Sequence, residues 1–189
     1  MKTNKNHLPN LKRTNIKKLI GILTIATTIL LLIPLIAMLF TDAVDWTWLD
    51  FLLMGTLIFC SGLASILIIR KSENIVYRVA CSLAFATAFL LVWVNLAVGL
   101  IGAGPNPGNW MYIVVLAVGS LGALIANFRP GGMQWAMFAT ALSLVLLTVI
   151  ALIMGMQHYP GSSVIELLSV NGFFIVLFTI SALLFRHAA

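Results

Sequence analysis

Long apolar runs, separated by short polar stretches, recur from one end of this chain to the other. They cover 19–40, 47–69, 77–101, 111–128, 135–154 and 164–185. Each is close to the ~20 residues that an α-helix needs to cross a hydrocarbon core. The pattern predicts an all-α fold, a polytopic membrane bundle of six transmembrane helices over 19–186, behind a basic tail at 1–18. Pro34 lies inside the first run, where a spanning helix can re-satisfy the freed carbonyl locally. That run is longer than the apolar core of a signal peptide, and no A-x-A cleavage site follows it.

The stretches between runs carry turn and cap chemistry. Asp45 is placed to cap the second helix, with Asp50 about one turn inside it. The segment GAGPNPGNW after the third helix is rich in breakers and has no charge. Arg129-Pro130-Gly131-Gly132 reads as a tight turn, and Ser163 with Glu166 three residues on matches a capping box for the sixth helix.

Composition agrees with lipid as the solvent: 61% of the 189 residues are hydrophobic and only 8% charged, with a mean hydropathy of +1.09. The net charge of +6 forms no extended face and does not predict nucleic-acid binding. Its distribution is a topology signal instead. All eleven Lys and Arg fall in the tail, the 70–78 loop, or at Arg129 and Arg186, which six crossings put on one side. Asp42, Asp45, Asp50 and Glu166 fall on the other, so the positive-inside rule predicts that both termini are cytoplasmic. Trp46, Trp48, Trp110, Tyr112 and Tyr159 are expected in an outer aromatic belt, and Tyr77 and Trp135 in an inner one. Cys60 and Cys81 sit in or beside apolar runs and read as small packing residues.

Lipid gives helices no hydrophobic reason to associate, so contact faces should carry small residues. Ala80, Ala84 and Ala88 form such a face on helix three, which continues to Asn95, Gly99 and Gly102 and predicts this helix to be the most enclosed. Gly119 with Ala123, Ser61 with Ser65 and Ala139 with Ser143 are similar pairs, while Trp93 should face lipid. The same faces could receive a protein partner or a second copy of the chain.

Asn95 is the sharpest polar feature, because an amide in hydrocarbon must find partners. Two readings stand: an interhelical hydrogen bond that fixes helix rotation, or a shallow pocket open to the outside, floored by Asn95 and Asn171 and rimmed by Asp50 and Glu166. Catalytic chemistry finds little to work with. The only histidines, His7, His158 and His187, lie outside the runs, and no lysine lies inside one. Gly119-Ser120 offers a serine without a base, and no phosphate-binding glycine pattern occurs. Met154, Met156 and His158 are too loosely spaced to predict a metal site. The expectation is a protein without cofactor or metal, non-enzymatic, acting as an accessory or interaction protein in contact with lipid or a partner subunit. The alternative is a facilitator for a small neutral solute with a polar outer vestibule.

Ile33-Pro34-Leu35-Ile36-Ala37-Met38, Phe40-Thr41-Asp42, Asp50-Phe51, the string from Ala88 to Gly99, and Phe138-Ala139-Thr140-Ala141 together resemble an uncharacterised family of small bacterial six-helix integral membrane proteins. The likeness runs from helix one to Arg186, and the helix-three string is its specific part. In that family the loop after helix three carries acids before an Asn-Pro pair, whereas this chain has Ala103-Gly104-Pro105-Asn106-Pro107. The resemblance implies a bacterial inner-membrane address and no particular mechanism.

Overall fold

A backbone crossing hydrocarbon must close its hydrogen bonds within each segment, and this chain does so entirely by helix. The computed structural model describes residues 15–41, 45–70, 72–102 and 106–189. Among them are six helices long and apolar enough to span a membrane: α1 (Ile16–Phe40), α2 (Trp48–Ile69), α3 (Ile75–Ala97), α4 (Met111–Ile125), α5 (Pro130–Ile153) and α6 (Val164–Ala188). The chain is an all-α, multi-pass membrane protein. The tail through residue 14, Asp42 and residues 103–105 lie outside the described residues.

α1 and α2 form one compact unit, and α3 to α6 form a second. In the first, Asn15 caps α1 by accepting from the Lys17 N–H, and Pro34 lies within an unbroken helix. α1 and α2 meet through glycine: a side chain at Gly55 would stand 3.2 Å from Leu31, and one at Gly62 would collide with Leu23. Ser61 and Ser65 are half-buried, and Ser65 donates back to the Ser61 carbonyl of its own helix.

In the second unit α5 packs against α4 and α6, and α3 packs against α6. The α4/α5 seam is built on missing side chains. A Cβ at Gly122 would lie 2.8 Å from the Ala136 Cβ, and one at Gly132 would lie 2.6 Å from the Ala126 Cβ. Gly119 would meet the Thr140 hydroxyl at 2.9 Å, so the α5 partners are Gly132, Ala136 and Thr140, one every four residues. Ala139 is exposed, which corrects the expected Ala139 and Ser143 face. Ala80 and Ala84 are buried as expected, and the Ala80 carbonyl accepts from Ser181 of α6 at 3.0 Å. The most enclosed span is nevertheless α5, 44% buried against 28% for α3, because α5 has a neighbour on each side.

Helix ends depart from expectation at the special residues. α3 stops at Ala97 rather than 101, since Gly99 (φ 78°) and Gly102 (φ 70°) take the left-handed conformation that ends a helix. These two glycines therefore do not prolong the alanine face. α4 stops at Ile125, and Asn127 (φ 48°) and Phe128 (φ 55°) make the reversal. Pro130-Gly131-Gly132 is then the first turn of α5, where proline's missing N–H costs nothing.

The two ends of this unit differ in charge. The Tyr77 hydroxyl donates to the Phe128 carbonyl at 2.6 Å, its ring lies edge-on to Phe185, and the Asn74 amide reaches the Ala188 carbonyl. Arg78, Arg129 and Arg186 consequently share one end, and Glu166, in the first turn of α6, lies at the other. Trp48, Trp110 and Trp135 are exposed as belt residues should be. Tyr77 and Tyr112 are not: at 5% and 1% exposure they are core residues, because each hydroxyl finds a partner inside the protein. Trp93 is 40% exposed.

The seam yields a stability prediction. Gly122→Leu and Gly132→Leu should each destabilise the protein by about 2 kcal/mol through overpacking. Gly172→Ala, with nothing within 4 Å of the added carbon, should be neutral or slightly stabilising. Thermal melting in detergent compares them, and equal shifts at all three positions would mean that glycine does not set the α4/α5 spacing.

Candidate functional site

The segment between α3 and α4 folds back on itself around one side chain. Asn106 receives the Gly108 N–H and opens a 3-10 turn, Pro107–Trp110, which adds to α4 the length its 15 residues lack for a crossing. This turn places Asn109 beneath the reversed chain. The Asn109 Oδ1 accepts from the Leu100 N–H at 2.9 Å and from the Ile101 N–H at 2.8 Å. Its backbone carbonyl accepts from the Asn95 Nδ2 at 3.2 Å. Around this knot the packing leaves no slack: a Cβ at Gly108 would press on Ile101 and on the Met156 sulfur, and one at Gly102 on Tyr159.

α3 and α4 barely touch along their lengths, and the gap between them at this end is a half-open cavity of about 460 Å³. Asn95, Asn106 and Asn109 line its mouth, with Leu91, Ile113 and Leu116 deeper in, and no charged side chain contributes to the wall. The Asn95 Oδ1 is sealed from solvent and receives no donor among the described residues. Its Nδ2 bond to a carbonyl fixes which end of this amide is oxygen.

The four residues singled out in the sequence do not share this site. Asn95 lines the cavity, and Asn171 is not among its lining residues. Asn171 is fully buried, where its Oδ1 accepts from the Tyr112 hydroxyl at 2.8 Å and pins α4 to α6. Asp50 belongs to the first unit. There its Oδ2 accepts from both the backbone N–H and the hydroxyl of Thr47 at 2.7 Å, so Thr47 with Asp50, rather than Asp45, caps α2. Glu166 is exposed and its N–H donates to Ser163, the N-cap of α6.

Sequence reasoning missed Asn109. A side chain that closes local backbone groups is ordinary for asparagine beside proline and glycine, which was the available signal. Which N–H groups it would close depended on where α3 ended. Among the described residues no group of three His, Cys, Asp or Glu gathers at one place. Met154 and Met156 diverge, the first 63% exposed and the second 5%. Compared with protein-family models, with curated proteins and with solved structures, the chain matches none.

Asn109→Ala should cost about 3 kcal/mol, because it strands two buried N–H groups. Tyr112→Phe should cost about 1 kcal/mol, and the double change with Asn171→Leu should cost less than the two separately, since the partners are lost together. A double-mutant cycle by thermal melting reads the coupling, and strict additivity would deny that the pair joins α4 to α6.

Proposed function

We propose that this chain is a non-enzymatic accessory or interaction protein of the bacterial cytoplasmic membrane, with both termini cytoplasmic, working by binding a lipid or partner subunit within the bilayer. The observation that supports it is the shape and lining of the α3/α4 cavity. It enters from the end that carries Glu166 and, apart from Tyr112, its wall inward of Asn95 is apolar, with Leu91, Val92 and Leu116. A conduit for a neutral solute needs polar groups in series across the bilayer. The Tyr112 hydroxyl is spent on the Asn171 Oδ1.

The arginine-rich end of the second unit supports the cytoplasmic assignment, through the preference of Lys and Arg for that side. The bacterial address rests on the resemblance of the helix-three string to its family.

Proteoliposomes separate binding from conduction. Glycerol and urea should equilibrate no faster than in protein-free vesicles, for both the natural protein and Asn95→Leu; a faster rate that Asn95→Leu abolishes would establish the facilitator instead. Fluorescent-protein and phosphatase fusions at either terminus test the orientation. Fluorescence without phosphatase activity is expected at both, and phosphatase activity at one would reverse it.

A further inference from the structure

One polar atom of the knot has no assigned task. The Nδ2 of Asn109 meets no acceptor among the described residues, although Asn109 is only 8% exposed. Two N–H groups donating to Oδ1 fix which end of the amide is nitrogen. Nδ2 is thus a donor of known identity on a residue of the cavity wall, its Oδ1 anchored by two backbone N–H groups, and unlike the Asn95 Oδ1 it is not sealed off. A ligand for this place must bring a neutral acceptor at one end and apolar surface behind it.

The geometry points to a binding site for the acyl chain of a bilayer glycerolipid, with the ester carbonyl accepting from Asn109 Nδ2 and the methylenes against Leu91, Leu96, Ile113 and Leu116. The inference deepens the binding role proposed above and rests on it. The volume of about 460 Å³ is within the range of small-molecule pockets. An uncharged wall favours an ester over a carboxylate or ammonium head, whose charge would lose solvation without compensation. From Leu91 to Ala97 the α3 wall is roughly 9 Å deep at 1.5 Å per residue. That takes the upper part of a tail in a leaflet about 15 Å thick, half the hydrocarbon core. Trp110, 71% exposed beside the mouth, belongs at headgroup level, where lipid ester groups lie. Leu96 and Ile113, 62% and 53% exposed, give the tail lateral entry.

The test uses the full chain in phosphatidylcholine nanodiscs with two photoactivatable phosphatidylcholines, one ester-linked and one ether-linked, each with a mid-chain diazirine. The ester probe should label Leu91, Leu96, Ile113 or Leu116 saturably, and the ether probe should bind about tenfold more weakly, the worth of one hydrogen bond to a buried partner. Asn109→Asp, at mildly alkaline pH, keeps the acceptor for Leu100 and Ile101 but removes the donor. It should weaken the ester probe about tenfold and the ether probe by less, so that the preference for the ester is lost. Leu116→Trp, which fills the cavity away from the knot, should abolish both. Labelling that never saturates and spreads over lipid-exposed positions such as Ile153 would overturn the site, as would equal binding of the two probes to the natural protein. That last comparison needs no variant, so it decides even if Asn109→Asp fails to fold. Solute flux in proteoliposomes would remove the binding role while leaving the labelling result standing, so the two failures are distinguishable.

Discussion

Inside hydrocarbon an unsatisfied amide or carbonyl has no water to turn to, and the second unit is arranged around that constraint. Where α3 ends, two N–H groups would be stranded, and Asn109 takes both on one oxygen while its own carbonyl takes the Asn95 amide. One residue therefore does for these two N–H groups what a further helical turn would have done. The knot also ties α3 to the start of α4, two helices that otherwise hardly pack, and the cavity lies in the gap between them at this end.

The opposite end is fastened by equivalent means. Tyr77 reaches across to the carbonyl of Phe128, itself in a left-handed conformation that turns α4 into α5. Between the two ends, contact relies on close approach and on a few hydroxyl and amide bonds. Glycines on α4 meet Ala136 and Thr140, Ser181 reaches the Ala80 carbonyl, and Tyr112 reaches Asn171. Hydrogen bonds of this kind in membranes are worth about 1 kcal/mol each, so their value lies as much in fixing rotation and register as in stability.

This arrangement bears directly on function. The deep hydroxyls of the second unit are committed to carbonyls or to Asn171, whereas the Asn95 Oδ1 and the Asn171 Nδ2 meet no partner among the described residues. Such hydroxyls hold helices in register. At the wall of the apolar cavity the Asn109 Nδ2 is a further amide donor without an acceptor among the described residues.

The sequence by itself determined that six apolar helices cross a membrane, that Arg78, Arg129 and Arg186 gather at the end of the second unit away from Glu166, and that Ala80, Ala84 and Gly119 lie on contact faces. These follow from hydrophobic length and from residue size, which are properties of the local chain. It also marked Asn95, Asn171, Asp50 and Glu166 as polar residues needing an explanation. Only the tertiary structure decided that these serve separate ends, two at α-helix starts, one in a core pair and one at a cavity. Depth along a helix can be counted from sequence, but which neighbour stands opposite cannot. The same limit hid Asn109 and misplaced Tyr77 and Tyr112: an aromatic near a helix end belongs to the interface unless a carbonyl or amide from a distant segment happens to meet its hydroxyl, and that meeting is made by packing.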